Sequence, residues 1–147
     1  MMIATCERSI AAPVDVVWSL VSTATGLNQW MSVEATVDLR VGGTIRWQHD
    51  NGWIVAGTIR EVSPMRRLSY TYGWERGGFP VPLESSVVTI ELTARGDVTD
   101  LAIRHEGLTP EMAEQHTGGW RMFVGLLAER AELAPTAETS ETTEATS

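Results

Sequence analysis

Apolar and polar residues alternate through most of the chain between residues 33 and 106. This period of two is typical of β-strands with one buried face. Six segments carry it: VEATVDL, TIRWQHD, WIVAGTIREV, RLSYTYGWE, SSVVTIELTA and VTDLAIRHE. The gaps between them are rich in turn residues, and Asn51-Gly52 predicts a two-residue hairpin. An earlier segment, ATCERSIAAP, predicts one more strand, so a meander of six antiparallel strands follows an opening strand.

Helical spacing replaces the alternation near both ends. Pro13 suits the first position of a short helix. The apolar face of this helix consists of Val14, Val17, Trp18 and Val21. Residues 23–26 interrupt the pattern, and LNQWM predicts another brief turn of helix. Near the other end, Thr109 and Pro110 predict the cap and first turn of a helix that runs to about Leu133.

These elements predict an α+β domain over residues 1–133. A curved antiparallel sheet of six to seven strands wraps around the long C-terminal helix, and two short helices lie between strands 1 and 2. Such a sheet can leave one face in water, but its other face must be covered. A helix of roughly 24 residues spans about 36 Å, close to the roughly 30 Å of a nine-residue strand. The last helix can therefore cover the concave face.

Alternation also predicts which side chains of the sheet face the helix. They are Ile45, Trp47, His49, Trp53, Val55, Gly57, Ile59, Leu68, Tyr70, Tyr72, Trp74, Val88, Ile90, Leu92, Thr99, Leu101, Ile103 and His105. The helix residues expected to point back toward them are Met112, His116, Gly119, Trp120, Phe123 and Leu127. Aromatic side chains are frequent in this set.

Two adjacent glycines adjoin the apolar stripe of the last helix. The stripe consists of Trp120, Phe123, Leu126 and Leu127, whose helical spacing predicts burial. Gly118 and Gly119 each cost roughly 1 kcal/mol in a helix interior. We expect them to leave space beside Trp120, within an internal cavity between helix and sheet. The alternative, in which they break the helix in two, stays open.

Composition narrows the class of protein. The 147 residues, 43% of them hydrophobic, are typical of one globular domain. No apolar run approaches the roughly 18 to 20 residues of a membrane span, and no signal-like segment opens the chain, so we expect a cytoplasmic protein. A net charge of −8 argues against a nucleic-acid partner.

Residue types exclude several chemistries. All eleven basic residues are arginine, which excludes Schiff-base lysines, lysine-bound cofactors and the P-loop lysine. Cys6 is the single cysteine, so we expect neither a disulfide framework nor a thiolate metal site, and we expect no cofactor. From Ala134 the chain is rich in Ala, Thr, Ser and Glu, and residues 134–147 are predicted to form a disordered acidic tail.

Five segments in register resemble the homologues of the activator of heat-shock protein 90 ATPase. They are ERSIAAPVDVVWSLVSTATGLNQWM, VGGTIRW, GTIREVSPMRRLSYTY, SSVVTIELTARGDVTDLAIRHEGL and HTGGWRMFVGLL, and the match covers about residues 4 to 131. That family lies in the START-like, polyketide-cyclase-like (SRPBCC) superfamily, which includes the birch pollen allergen. The resemblance implies a helix-grip fold with a cavity for apolar molecules. The co-chaperone role belongs to eukaryotic members with an additional N-terminal domain, which we do not expect in this protein.

The candidate chemistry lies in histidines and aromatic rings. His49, His105 and His116 are the candidates for proton transfer near pH 7, and His105 with His116 could act together inside the cavity. The alternative is that these histidines bond to backbone carbonyls or form the rim of a pocket, and no catalytic residue is assigned. A metal site is not expected, because zinc needs three or four ligands and Glu106 faces away from His105. The residues expected to contact a ligand are Trp47, Trp53, Tyr70, Tyr72, Trp74, Ile90, Leu101, Ile103, His105, His116, Trp120 and Phe123.

Three functions stay open on the sequence. The first is binding of an apolar or aromatic small molecule. The second is a cyclase or hydrolase that uses His105 or His116, and the third is a module that interacts with a chaperone. The loop over residues 77–84, which carries Phe79, could act as a lid or be a hairpin loop with an aromatic plug. A homodimer through an exposed edge strand such as the first is also left open, because no residue decides it.

Overall fold

A computed structural model describes residues 2–75 and 81–133, apart from the side chain of Met2. Its strands are β1 (Met2–Ile10), β2 (Glu34–Val37), β3 (Thr44–Gln48), β4 (Ile54–Ser63), β5 (Arg67–Trp74), β6 (Ser86–Arg95) and β7 (Val98–Leu108). Its helices are α1 (Val14–Ser22), α2 (Ala24–Leu27) and α3 (Pro110–Leu133). This order confirms the predicted α+β fold.

The described strands form one antiparallel sheet of seven strands in the order β1-β7-β6-β5-β4-β3-β2. β2 to β7 make the predicted meander, and β1 pairs with β7, so β1 and β2 are the edges. The predicted alternation holds in β7, where Leu101, Ile103 and His105 are buried while Arg104 and Glu106 are exposed. One face of the sheet therefore supplies the core.

The backbones of β4 and β5 approach each other closely at Gly57. A Cβ atom at this position would collide with the carbonyl oxygen of Thr71 on β5, so glycine is required for this approach. Thr71 Oγ1 accepts a 2.8 Å hydrogen bond from the backbone N–H of Thr58. The pairing of β4 with β5 shifts between Ile59 and Glu61, and such a bulge increases the local bend.

α3 covers the concave face and packs chiefly against β1. The Oγ1 atom of Thr109 accepts a 3.2 Å hydrogen bond from the N–H of Met112, which confirms the predicted cap. The buried residues of α3 are Met112, Ala113, Trp120, Val124, Leu127, Ala128 and Ala131. Helix and sheet thus share one apolar core.

The short helices begin at slightly different residues from those predicted. α1 begins at Val14, and Pro13 is its N-cap residue instead of its first helical residue. α2 precedes most of the LNQWM segment, because Thr23 Oγ1 accepts a 2.9 Å hydrogen bond from the N–H of Gly26 and caps the helix there. Trp30 then donates its indole N–H to the Leu20 carbonyl oxygen over 2.8 Å. This bond attaches the turn after α2 to α1.

Two expectations for α3 are corrected. The helix is continuous through Gly118 and Gly119, so the alternative of two separate helices is wrong. Leu126 does not belong to the buried stripe, since it is 42% exposed. At about 100° per residue, Leu126 lies about 120° around the helix from Trp120, whereas Leu127 lies within about 20° of it.

The hairpin at Asn51-Gly52 is longer than predicted. His49 N–H donates to the Trp53 carbonyl oxygen over 2.8 Å, so three residues lie between the last paired positions. Gly52 has a φ of +91°, and the side chain of Asn51 accepts a 3.0 Å hydrogen bond from the N–H of Trp53. Asn51 and Gly52 therefore form the turn, but the loop contains three residues instead of the predicted two.

The predicted tail over residues 134–147 lies outside the described residues. None of the helices in the described part of the chain combines the length and apolar character that a membrane-crossing segment needs.

Candidate functional site

A pocket of about 200 Å³ lies between α3 and the strands β3 and β5. We call it the aromatic pocket, and its lining residues are Met31, Trp47, His49, Tyr72, Trp74, Gln115, His116, Gly119, Trp120 and Phe123. None of these side chains carries a carboxylate or a guanidinium group. The pocket is therefore uncharged wherever its histidines are neutral.

The spacing of residues along each element brings these side chains together. Tyr72 and Trp74 are two residues apart in β5, so they share one face of the sheet. On α3, His116, Gly119 and Phe123 fall at helical spacing and face the same side. A Cβ atom on Gly119 would meet no atom within 4 Å, so the missing side chain leaves open space at the pocket wall.

Tyr72 lies in the middle of the ring cluster and is buried. Its ring centroid lies 4.2 Å from His105, 5.7 Å from His116, 6.0 Å from Trp47, 6.1 Å from Trp74 and 6.4 Å from Trp120. Tilted and edge-to-face ring pairs at such distances stabilise the cluster beyond simple area burial. Burial also raises the pKa of the Tyr72 hydroxyl, with a further contribution from Tyr70, so it stays protonated at neutral pH.

His105 is fully buried and has a hydrogen-bond partner at each ring nitrogen. The indole N–H of Trp120 donates to Nδ1 over 3.1 Å. Because an indole nitrogen can only donate, Nδ1 carries the lone pair and Nε2 carries the proton. Nε2–H donates to Ser86 Oγ over 2.8 Å, and the Ser86 hydroxyl donates to the Tyr72 carbonyl oxygen over 2.9 Å. This sequence of donors fixes one neutral tautomer.

The surroundings of His105 oppose its protonation. Burial, followed by the proximity of His116, lowers its pKa from 6.5 to about 3. A proton added to Nδ1 would occupy the lone pair that accepts the Trp120 N–H, so two N–H groups would then face each other. Both nitrogens are engaged within the protein, so this arrangement positions Trp120 and Ser86 and leaves His105 no nitrogen for a ligand.

His116 offers a different pattern. Its Nδ1 lies 2.9 Å from the carbonyl oxygen of Met112, which can only accept, so Nδ1 carries the proton. In the neutral ring, Nε2 at the far edge then carries a lone pair. Burial lowers the pKa of His116, and the hydrogen bond to Met112 partly opposes this shift. His116 can therefore accept a hydrogen bond from a ligand near neutral pH.

His49 lies at the mouth of the aromatic pocket. Trp47 donates its indole N–H to Nε2 over 3.2 Å, so the proton of the neutral ring is on Nδ1. Burial lowers the pKa of His49, whereas the charge of Asp50 and the Met31 hydrogen bond raise it. The His49 ring stacks on Trp74 with centroids 5.4 Å apart.

The structure divides the residues that the sequence suggested for ligand contact. Those that line the aromatic pocket are Trp47, Tyr72, Trp74, His116, Trp120 and Phe123. Those that do not line it are Trp53, Tyr70, Ile90, Leu101, Ile103 and His105. Of the second set, all except the half-buried Trp53 lie in the packed core. The space at the core end of the helix–sheet interface is thus filled by side chains.

Sequence reasoning missed two residues of the pocket wall. Met31 follows the short helices, where no alternation points to a side, and Gln115 is an exposed polar residue on α3. Gln115 lies one residue before His116 and four before Gly119, so its helical spacing could have suggested it. Among the described residues, no group of three or more His, Cys, Asp or Glu side chains is placed to hold a metal ion.

The lid prediction depends on Phe79, which lies outside the described residues. The described part of that loop contacts β4 and β5. Glu84 accepts a 3.1 Å hydrogen bond from the Thr58 hydroxyl, and the Pro82 carbonyl lies against Gly73. Val81 is buried in the apolar core, and none of residues 81–84 lines the aromatic pocket.

A curved antiparallel sheet around a long C-terminal helix, with an uncharged aromatic pocket at one end, defines a helix-grip domain. Comparison by sequence is more specific. The family described as "Activator of Hsp90 ATPase homolog 1-like protein" matches residues 11–132, and the chain belongs to this family. A comparison with curated proteins finds no match.

Solved structures support the same assignment. CalU16 from Micromonospora echinospora is 31% identical, with 84% of this chain and 74% of CalU16 covered and a TM-score of 0.68. DynU16, described from the dynemicin biosynthetic locus, is 26% identical with a TM-score of 0.77; the match covers 89% of this chain but 47% of DynU16, about half its length. The Aha1 dimer from Colwellia psychrerythraea is 18% identical, with 90% of this chain and 98% of Aha1 covered and a TM-score of 0.76. That likeness shows the fold alone.

Proposed function

We propose that this protein binds an apolar or aromatic small molecule in the aromatic pocket. The observation that carries the proposal is the uncharged wall of rings around open space at Gly119. Flat rings can stack between such side chains, and few polar groups are needed to orient them. The lone pair on His116 Nε2 suits a ligand with a hydroxyl or N–H group. The biosynthetic-locus setting of DynU16 fits this reading.

Substitution of the two neighbouring glycines tests the proposal. Gly119→Leu places a side chain in the pocket, whereas Gly118→Leu adds the same side chain at an exposed position that does not line it. Both variants should fold, because leucine favours a helix over glycine by roughly 0.8–1 kcal/mol. Isothermal titration calorimetry with 2-naphthol should show binding to the wild type and to Gly118→Leu. Gly119→Leu should bind at least tenfold more weakly, and equal binding by both variants would contradict the proposal.

An enzyme of the cyclase or hydrolase type is a second candidate, and His116 is the observation that favours it. His116 lines the pocket and its Nε2 has no hydrogen bond to any described residue, whereas both nitrogens of His105 are engaged. In such an enzyme His116 would accept a proton from a polyketide-like substrate. Turnover of a model poly-β-ketone that is abolished in His116→Gln and retained in His49→Gln would favour this candidate. Binding without turnover would favour the first.

Three further expectations belong to the proposal. A cytoplasmic location accords with a single cysteine and no disulfide pair. A homodimer would resemble the Colwellia relative, which is described as a dimer, and the edge strand β1 would be available for it. A chaperone partner is suggested by the family name alone. Sedimentation equilibrium tests the homodimer directly.

A further inference from the structure

A larger open space adjoins the aromatic pocket near the C-terminal end of α3. We call it the groove; it measures about 640 Å³ and lies between residues 28–33, the turn at His49 and Asp50, and the second half of α3. Met31, His49 and Phe123 line both the groove and the aromatic pocket. The two spaces are therefore neighbours that share a wall.

Size suggests that the two spaces act together. Pockets for drug-sized ligands typically measure about 300–1,000 Å³. The aromatic pocket, at about 200 Å³, is too small for such a ligand but large enough for a small ring system. Adding the groove brings the available volume well into the usual range.

The shared wall is made of carbon surfaces. His49 Nε2 already accepts the indole N–H of Trp47, and the Met31 backbone lies near the ring as a further polar neighbour. The Phe123 ring lies 5.5 Å from the His49 ring, centroid to centroid. A segment of ligand that passes between the two spaces would therefore meet mainly ring carbon atoms. Hydrocarbon suits this position best.

The groove combines an apolar side with a polar side. Met122, Leu126 and Leu133 are 57%, 42% and 72% exposed, and their spacing of four and seven residues places them on one stripe of α3. Among the described residues that line the groove, Asp50 and Glu129 are acidic and Arg130 is basic, and the Nε atom of Arg130 donates to the Gln29 carbonyl oxygen over 3.2 Å. The charged groups in the groove thus carry a net negative charge, which disfavours an anionic ligand group.

We propose that the ligand is an elongated amphipathic molecule with three parts. A flat ring system occupies the aromatic pocket, a short aliphatic linker passes His49 and Phe123, and a neutral or cationic polar end lies in the groove. This inference rests on the proposed function, because it assumes that the aromatic pocket takes a ring.

Calorimetry with a series of naphthyl probes tests the inference. The probes are 2-naphthol and three derivatives that keep its hydroxyl and carry a chain at carbon 6 of the ring: 6-(6-hydroxynaphthalen-2-yl)hexan-1-ol, its terminal amine and its terminal carboxylate. Burial of two methylene groups alone corresponds to about a tenfold gain in affinity. The alcohol and the amine should therefore bind at least tenfold more tightly than 2-naphthol, and the carboxylate should bind more weakly than either.

A matched pair of substitutions tests whether the gain in affinity comes from contacts in the groove. Leu126→Asn removes apolar surface from the groove, and Leu39→Asn makes the same change at a site 38% exposed that lines neither space. In Leu126→Asn the affinity of the extended probes relative to 2-naphthol should fall below threefold, while the affinity for 2-naphthol itself is unchanged. In Leu39→Asn this ratio should stay as in the wild type. If 2-naphthol binds but the extended probes bind no more tightly, the elongated ligand is refuted while the proposed binding in the aromatic pocket is retained. The same conclusion follows if the extended probes keep their higher affinity in Leu126→Asn. If no probe binds the wild type, both proposals fail.

Discussion

Replacement of His105 by glutamine should alter how the stability of the protein depends on pH. His105 accepts from Trp120 at one nitrogen and donates to Ser86 at the other. A glutamine amide also offers one acceptor and one donor group but does not titrate. The ring is fully buried, so its loss should reduce the free energy of unfolding at pH 7 by about 1–3 kcal/mol.

The sign of the pH effect follows from the lowered pKa. The folded protein holds His105 neutral down to about pH 3, whereas the unfolded chain binds a proton near pH 6.5. The stability contributed by the neutral ring is therefore complete above pH 6.5 and is lost progressively as the pH falls toward 3. One pKa unit corresponds to 1.36 kcal/mol, so between pH 7 and pH 4.5 the wild type should lose about 2.7 kcal/mol that the variant does not lose.

Urea unfolding followed by tryptophan fluorescence at both pH values measures this difference. Carboxylates and the other two histidines titrate in wild type and variant alike, so subtraction isolates position 105. We expect His105→Gln to be the less stable protein at pH 7 and the gap to close or reverse at pH 4.5. A gap that is the same at both pH values would show that folding does not hold His105 neutral.

Three other substitutions test separate parts of the account. Trp120→Phe leaves Nδ1 of His105 buried without its donor and should lower the free energy of unfolding by about 1–3 kcal/mol in urea titrations; an unchanged midpoint would contradict the network. Gly118→Ala should raise the free energy of unfolding by up to about 1 kcal/mol, because the position is helical and exposed and no atom lies within 4 Å of the added Cβ. A lower melting temperature of the variant would contradict this expectation. Gly57→Ala should cost more than about 2 kcal/mol through the collision with Thr71, and near-neutral behaviour would refute the close approach.

The pattern of the sequence was sufficient for the fold because the sheet follows simple periodicity. β3 to β7 and α3 lie within a few residues of their predicted positions. The failures have local causes. The spacing of apolar residues predicted that Leu126 belongs to the buried stripe, but its angle around the helix places it on another side. The cap at Thr23 begins α2 earlier than the apolar residues indicate.

The candidate site was less predictable, because several of its features depend on contacts between distant segments. Alternation placed Ile90 and Ile103 on the correct face, but it could not show that neighbours fill the space around them. The roles of His105 and His116 differ through the bonding of their ring nitrogens, which spacing along the chain does not reveal. Alternation and helical spacing did suggest six of the side chains that line the pocket, and an otherwise unfavourable helix residue suggested the open position at Gly119.

The indole N–H resonances of the six tryptophans provide the most direct test that the aromatic pocket binds a flat apolar ligand. In a ¹H–¹⁵N spectrum titrated with 2-naphthol, the signals of Trp47, Trp74 and Trp120 should shift with one common dissociation constant, since these residues line the pocket. Trp18, which is buried on α1 and lines neither space, should not move. Indole signals that stay fixed at saturating probe, or a Trp18 shift as large as that of Trp74, would contradict the account.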